Sequence, residues 1–332
     1  MLFVLALGAA IGAAHASDCA PDETDPTAIG SGTPSDPWQV CTAAQLRSIG
    51  QQPAGHFELV DDIDLDGWPG SIGPSCTPHP TSGGFAGSLI GNGHTLSNHV
   101  SDRGLFSCIH GGVVEDLHLE NVEVTNKNRR YGVGGLFGFM NGGQVSDVTV
   151  TGTVRSDGYG AGGIGGVSYD SEIERVSFDG EVWGTHNVGG IVGNLVRTDI
   201  TDCAAIGNVS GRLNLGGLVG LWTSVPVRSD LRRCVSAVTV RDRGAFEDPR
   251  LGLLVGKDQG VILGSDGEES WDAVFALASG DTPLIGTSSY VNGTAIAAGR
   301  EILLDPMSYE RAGWDLETVW TEPTPTSLPQ LR

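Results

Sequence analysis

The sequence predicts an all-β fold, namely a right-handed parallel β-helix (a solenoid) with a short helical cap at the N-terminus and a further cap at the C-terminus. Three observations support this prediction. A glycine-rich motif returns about every 27 residues, apolar residues recur at fixed distances after it, and the 332 residues include 51 glycines but only 6% aromatic side chains. Conventional globular cores would need more bulky residues, whereas stacked repeats do not.

The repeated motif is Gly-Gly-aliphatic-x-Gly, and its copies begin at Gly134, Gly162, Gly189 and Gly216. Apolar residues at matching distances after the motif align in columns, for example Val148, Val176 and Cys203. Apolar residues at every second position indicate strands with one buried face, and strands stacked at about 4.8 Å place each column in a ladder. Parallel crossovers are nearly always right-handed, which gives the predicted hand. The glycines are predicted to lie at corners, where a neighbouring coil leaves no room for a Cβ atom.

The first segment, residues 1–16, is predicted to be a signal peptide. Its apolar run ends in Ala14-His15-Ala16, which fits a cleavage site, and the run is too short to span a bilayer. No Lys or Arg precedes the run, so whether Met1 is the true start stays open. Export from a bacterium would place the mature chain outside the cell, on its surface or in the periplasm, without insertion into the membrane.

Three further segments are predicted from the repeat pattern. Residues 17–102 would form the N-terminal cap and the first coils, with a short amphipathic helix at 42–49 covering the first coil. Residues 103–264 would form the coils of the repeat, and residues 265–332 would form the last coils and a C-terminal cap. Caps are expected because open solenoid ends invite edge-to-edge association. The bulky residues suited to closing the core at the C-terminal end are Trp271, Trp314 and Trp320.

The charge of the chain excludes two classes of partner. Forty acidic residues against 19 basic ones give a net charge of -21, and Lys127 and Lys257 are the only lysines. Nucleic acids and anionic membranes repel such a surface, so neither is expected to bind. The expected partner is an extracellular glycan or protein, and the chain is expected to be a monomer.

The cysteines are expected to form disulfides in an exported chain. There are six of them, and six allow fifteen pairings: Cys19, Cys41, Cys76, Cys108, Cys203 and Cys234. The pairs Cys19–Cys41 and Cys76–Cys108 are predicted to pin the N-terminal cap. Cys203 and Cys234 share a column on adjacent coils, which favours an inward ladder of small apolar thiols and leaves a disulfide open.

Two copies of the motif read Gly135-Leu136-Phe137-Gly138 and Gly217-Leu218-Val219-Gly220. At these residues the sequence resembles the GLUG-motif β-helix proteins, which are named for a Gly-Leu-bulky-Gly signature. The resemblance extends over nearly the whole mature chain, from Asp36-Pro37-Trp38 to Gly313-Trp314-Asp315. It implies a module of bacterial surface and adhesin-like proteins, of the kind that accompanies IgA-specific metallopeptidases. It implies no shared catalytic residues.

No catalytic, cofactor-binding or metal-ligating residue is predicted. Asp62, Asp64 and Asp66 imitate the start of a calcium loop, but Gly73 stands where an EF-hand needs a bidentate glutamate, and the run also fits a strand. His94, in the run Gly91-Asn92-Gly93-His94-Thr95, suggests a polysaccharide hydrolase when it is taken with Asp61 and Asp62, because such chemistry needs two converging carboxylates. A role as a turn residue is favoured instead. The aligned copies show no acidic column and no Lys or Arg column beside one, which argues against hydrolase and lyase chemistry alike.

The sequence therefore predicts a non-enzymatic scaffold, secreted or held at the cell surface, that serves adhesion or binds a glycan or protein. A regular solenoid offers a long face, and irregular insertions decorate it. The insertions Thr223–Asp230 and Arg241–Leu251 are the predicted contact region. Two alternatives stay open: a carbohydrate-active enzyme of the polysaccharide lyase or hydrolase kind, and a passive structural module of the envelope. No cofactor is expected.

Overall fold

The fold is a parallel β-helix of about seven turns, so the predicted fold class is confirmed. The predicted signal peptide lies outside the described residues. No described helix has the length and apolar character that crossing a membrane requires. The computed structural model describes residues 24–25, 27, 29–74, 83–128, 132–223, 229–244, 250–259, 271–278, 282–287, 295–324 and 327–332.

The helices of the described part are short. They are α1 (Ala43–Ser48), α2 (Arg300–Leu303) and α3 (Pro306–Arg311), with a 3₁₀ turn at Ile49–Gln51. The strands are β1 (Trp38–Val40), β2 (His56–Leu59), β3 (Ile63–Asp64), β4 (Ser88–Ile90), β5 (Thr95–Ser97), β6 (Val100–Ser101), β7 (Phe106–His110), β8 (Val113–Asn126), β9 (Val133–Gly134), β10 (Phe137–Asn141), β11 (Gln144–Gly162), β12 (Gly165–Tyr169), β13 (Glu172–Gly189), β14 (Val192–Val196), β15 (Asp199–Gly211), β16 (Leu213–Gly216), β17 (Val219–Thr223), β18 (Leu231–Asp242), β19 (Leu251–Gly252), β20 (Val255–Asp258), β21 (Trp271–Asp272), β22 (Val274–Leu277), β23 (Ile285–Thr287) and β24 (Ala295–Ala298).

Two sheets wrap around one core. One strand from each turn enters a seven-stranded sheet in the order β7-β10-β12-β14-β17-β20-β23, and the remaining strands form a 17-stranded sheet. The pairings between successive coils are parallel. Val148 pairs with Val176, and Val176 with Cys203, and all three side chains are buried, so the predicted column is confirmed. The core is therefore a stack of aliphatic ladders enclosed by the coils.

The predicted N-terminal helix is confirmed as α1. Thr42 caps it, because its hydroxyl accepts a hydrogen bond from the Gln45 backbone N–H at 3.1 Å while the Gln45 side chain accepts one from the Thr42 N–H at 3.2 Å. This reciprocal capping box satisfies donors that a helix start leaves open. Leu46 and Ile49 are fully buried and join the core of the first coils.

The motif glycines lie where adjacent coils touch, as predicted. A Cβ atom on Gly190 would overlap the carbonyl oxygen of Gly217 on the next coil and lie 2.7 Å from the Cβ of Ala205. The backbone of Gly190 donates to the same Gly217 oxygen at 3.2 Å, so the two coils cannot separate without losing that hydrogen bond. Glycine is required here for close approach rather than for an unusual φ.

The cysteine predictions have three outcomes. Cys203 and Cys234 form a disulfide, with Cα atoms 4.4 Å apart, so the favoured ladder of free thiols is wrong. The reason is that residues in register on parallel coils point the same way, which brings both sulfur atoms within bonding reach. Cys41 and Cys108 are also disulfide-bonded. Their predicted partners, Cys19 and Cys76, lie outside the described residues, so those pairings stay predictions.

The C-terminal segment, described at residues 309–324 and 327–332, packs along the outside of the coils. Its buried side chains belong to a second hydrophobic cluster, separate from the core, that includes Trp314 and Trp320. On the coil side the cluster contains outward-pointing residues of β15, β18 and β22, which are Ala204, Val235 and Phe275. The prediction that Trp314 and Trp320 close the end of the coil is therefore wrong, because the apolar surface that they cover lies on a lateral face. The side chain of Trp271 lies outside the described part.

Candidate functional site

A column of charged residues runs along one corner of the β-helix. Its members are Asp116, Asp147, Arg175, Asp202 and Arg233, and each has a φ between 46° and 55°. The residues on either side of each member are in register from coil to coil. The coils therefore share one mixed column of aspartates and arginines, which is neither a purely acidic column nor an arginine column beside one. A comparison of the aligned copies does not reveal this column because its members are three aspartates and two arginines rather than one residue type.

Neighbouring members of this column form ion pairs. Arg175 donates to both carboxylate oxygens of Asp147, at 2.6 and 2.7 Å, and Arg233 donates to both of Asp202, at 2.8 and 2.6 Å. The hydrogen bonds from Arg175 to Asp147 raise the pKa of the guanidinium above its usual value. Two-pronged arginine–carboxylate pairs fix geometry as well as charge. They hold successive coils in register at a corner whose left-handed backbone costs about 1 kcal/mol or more per residue.

A groove, named here the Asp116 groove, separates this column from the C-terminal segment. It has a volume of about 320 Å³. The Nδ1 atom of His118 and the hydroxyl of Thr149 share a hydrogen bond of 2.7 Å inside it. The lining residues are Asp116, His118, Asp147, Thr149, Arg175, Thr318, Val319, Leu331 and Arg332. The groove therefore combines two carboxylates from adjacent coils, a histidine and two arginines.

The structure brings His94 and Asp62 together. The Nδ1 atom of His94 lies 3.2 Å from Oδ1 of Asp62, and that oxygen also accepts the backbone N–H of Thr95 at 2.8 Å. The Thr95 hydrogen bond is the main cause that lowers the pKa of Asp62. Asp64 accepts from Asn98 on the next coil at 2.9 Å. These aspartates thus bond to the neighbouring coil, and no group of three or more His, Cys, Asp or Glu in the described part could hold a metal ion.

A second groove, named here the Trp183 groove, crosses another outer face of the 17-stranded sheet. It has a volume of about 390 Å³. Arg155, Trp183, Ser210 and Arg241 are paired in register through β11, β13, β15 and β18, so they form one column across four coils. Arg155 is exposed and Trp183 is half-buried. The full lining is Thr153, Arg155, Glu181, Val182, Trp183, Asn208, Ser210, Arg241 and Arg243.

The Trp183 groove is locally basic. Arg243 donates to the Ser210 hydroxyl at 3.3 Å, and Arg155 and Arg241 have no ion-pair partner among the described residues. Glu181 is the one carboxylate among the lining residues. The patch thus presents three guanidinium groups and one carboxylate beside an indole.

The predicted contact region meets this groove at one end. The insertion Arg241–Leu251 begins with two of its arginines, while residues 245–249 lie outside the described residues. The insertion Thr223–Asp230 likewise has residues 224–228 outside the described residues. Sequence reasoning did not find Trp183 as a site residue. The available signal was an indole in an outward column between two arginines of other coils, and only the register reveals that column.

Comparison with known proteins identifies the repeat. The family model of the GLUG motif matches residues 184–210, a copy that contains Gly189–Gly193 rather than either of the two copies with the literal signature. Halomucin of Haloquadratum walsbyi is 37% identical over 161 residues, which cover 44% of this chain and 2% of that protein. A protein of Evansella cellulosilytica described as a Gly-rich membrane protein is 32% identical over 131 residues, 36% of this chain and 15% of its own length. The chain thus spans a small part of both relatives.

Two solved structures share the fold. A crystal structure at 1.30 Å of a Bacteroides ovatus protein described as an immunoglobulin A1 protease superposes with a TM-score of 0.66 and 19% identity, covering 91% of this chain and 94% of that one. A structure of an IgA1 protease superposes with a TM-score of 0.57 and 19% identity, covering 78% of this chain and 21% of that one. At this identity the likeness shows the fold alone.

Proposed function

Because the chain is a β-helix repeat protein that carries the GLUG motif, we propose that it is a non-enzymatic, adhesin-like scaffold, secreted or held at the bacterial cell surface, that binds an extracellular glycan. The observation that carries the proposal is the Trp183 groove. Tryptophan and arginine are enriched among the residues that dominate binding at protein interfaces, and here they line one concave site.

The extracellular placement has two supports. None of the described cysteines is free, and Cys203 is bonded to Cys234, which fits an oxidising compartment rather than a reducing cytosol. The apolar run of residues 1–16 has the pattern of an export signal. The names of halomucin and of the immunoglobulin A1 proteases belong to those proteins, and they agree with a surface or secreted setting for this one.

The proposal is tested with the purified full chain on a glycan array. Trp183→Ala should lose the glycans that the parent retains, while its melting temperature stays close to that of the parent. Trp68→Ala is the matched control, because Trp68 is also half-buried but lies in the N-terminal coils. If the parent retains no glycan, the proposal fails and a passive envelope module remains. Unchanged retention by Trp183→Ala would also count against it.

A carbohydrate-active enzyme is the second candidate, and one observation favours it. The Asp116 groove places the carboxylates of Asp116 and Asp147 on adjacent coils beside His118. Glycoside hydrolysis needs two such carboxylates facing one bond. Asp147, however, accepts two hydrogen bonds from Arg175, which leaves it poorly placed to move a proton.

The enzyme candidate is tested by incubating the chain with acidic and neutral polysaccharides. Reducing ends report hydrolysis, and absorbance from unsaturated products reports elimination. Asp116→Asn should abolish any activity that belongs to the Asp116 groove, whereas Trp183→Ala should leave such activity unchanged unless substrate binds along both faces. Absence of product with every polymer would remove this candidate.

A further inference from the structure

We infer that the ligand of the Trp183 groove is an anionic polysaccharide, a polymer with carboxylate or sulfate groups on its sugar rings. This inference rests on the proposed function and names the chemical class of the glycan. Its basis is the local charge of the groove, the spacing of the arginines and the presence of an indole between them.

The charge of the groove is opposite to that of the whole chain. The chain has 40 acidic and 19 basic residues, yet the groove collects three arginines and one carboxylate. Like charges gathered without partners repel one another, which costs stability unless an anion binds among them. The Debye length is about 8 Å at physiological salt, so a ligand in the groove responds to these local groups more than to distant acidic residues.

The arginines are spaced for a polymer. Arg155, Trp183, Ser210 and Arg241 lie on four successive coils, so Arg155 and Arg241 are about 14 Å apart at about 4.8 Å per coil. A small anion would be held by one guanidinium. A chain that lies along the helix axis meets one arginine at each end and the indole between them.

The three kinds of side chain match the chemistry of an acidic sugar. A guanidinium is a planar fork that binds carboxylate or sulfate through two parallel hydrogen bonds. The face of an indole offers flat apolar area that packs on the C–H groups of a sugar ring. Asn208, which is half-buried in the same lining, supplies an amide for the hydroxyls of a sugar.

A nucleic acid combines negative charge with flat rings and is the rival ligand. Single-strand binders combine a continuous basic track with several stacking aromatics. The Trp183 groove has one tryptophan and three arginines, and Glu181 interrupts the track. The observations therefore favour the polysaccharide.

The test measures binding of the full chain by calorimetry to four probes: polygalacturonate, dextran sulfate, neutral dextran and an oligo-dT strand. We expect the two acidic polysaccharides to bind at least tenfold more tightly than dextran at low salt, and the difference to shrink as salt rises. Polygalacturonate and dextran sulfate separate carboxylate from sulfate as the preferred group.

Variants assign the effect to the groove. R155Q and R241Q, singly and together, should weaken binding to the acidic polymers, with the double variant losing at least tenfold, while the melting temperature stays unchanged. R311Q is the matched control, because Arg311 is an exposed arginine of α3 outside the groove. Trp183→Ala should weaken binding to every polysaccharide that the parent binds.

Three outcomes would contradict the inference. Equal binding of dextran and the acidic polymers would overturn the inference and leave the proposed glycan scaffold standing. Tighter binding of oligo-dT than of either acidic polysaccharide would overturn the inference in favour of a nucleic acid. If none of the four probes binds and the glycan array is also empty, the inference and the proposed function fail together.

Discussion

The strands β13, β15 and β18 carry two outer faces of opposite character. On one, which we call the covered face, the column Ser177, Ala204, Val235 and Phe275 turns from polar to apolar where the C-terminal segment lies on it. On the other, the open face, Arg155 and Arg241 are exposed and Trp183 is half-buried, while Ser210 of the same column is buried. The residue type at an outward position of this solenoid therefore depends on whether another segment of the chain covers that position.

The largest expected effect on stability is that of a substitution at a glycine where two adjacent coils touch. Gly190→Val should lower the free energy of unfolding by more than about 4 kcal/mol, because a side chain there collides with the backbone of the next coil. Gly142→Asn is the control, since Gly142 has a φ of +64° with nothing near its would-be Cβ, and asparagine tolerates that conformation. Urea denaturation measures both. A Gly190→Val chain as stable as the parent would show that the corners are not close-packed.

A change on the covered face should come next. Trp320 is fully buried between the C-terminal segment and the coils, and its ring centroid lies 5.0 Å from that of Trp314. Trp320→Ala should destabilise the chain by about 3–5 kcal/mol, the usual cost of removing a buried large aromatic. Binding to polysaccharide should survive in the fraction that remains folded. A loss of unfolding free energy below about 1 kcal/mol would mean that the C-terminal segment packs only loosely on the coils.

The N-terminal coils contain one fully buried histidine, His99. Within the described part of the chain, neither ring nitrogen of His99 has a hydrogen-bond partner, and burial lowers its pKa from 6.5 to about 4. The unfolded chain therefore binds a proton between pH 6.5 and 4 that the folded chain does not. The contribution of neutral His99 to the free energy of unfolding is complete above pH 6.5, and about 3 kcal/mol of it is lost as the pH drops to 4.

A variant isolates this histidine from the carboxylates. Asp62 and Asp64 have lowered pKa values, so the stability that they contribute is lost at more acidic pH, below their ordinary value of 3.8. His99→Leu should therefore flatten the stability profile between pH 6.5 and 4.5 and leave the steeper loss at lower pH. An unchanged profile, measured by denaturation at a series of pH values, would assign the decline to other groups.

The smallest expected effect on stability belongs to the open face. Trp183→Ala should change the free energy of unfolding by less than about 1 kcal/mol, because the side chain is only half-buried and lines a groove. The same variant should lose glycan binding. A stability loss as large as that of Trp320→Ala would show that Trp183 is structural, and the contrast between the two faces would disappear.

The sequence alone predicted the features that repeat by residue type. The column of Val148, Val176 and Cys203 and the glycine corners follow from spacing, because every coil solves the same packing problem with similar residues. The charged column did not follow, since Asp147 and Arg175 occupy one geometric position with opposite charge.

The Trp183 groove and the covered face depend on contacts between residues that are far apart in sequence, and the spacing of the repeat does not reveal those contacts. Ala204 and Val235 are apolar residues at outward positions, where the sequence pattern predicts polar ones. The C-terminal segment, which is distant in sequence, covers them and explains their apolar character. Trp183 and Arg241 come from different coils, and an insertion displaces the later copy, so only the strand register joins them. The insertion that starts at Arg241 was nonetheless predicted as a contact region, and it borders the Trp183 groove.

The contact between Trp320 and Asp202 joins residues that are 118 positions apart along the chain and 3.5 Å apart in space. It can form only after the coil that contains Asp202 has folded, so the covered face depends on contacts that are distant in sequence. A chain that lacked the C-terminal segment would leave the outward side chains of Ala204, Val235 and Phe275 open to solvent. An exposed apolar patch of this kind favours association between chains.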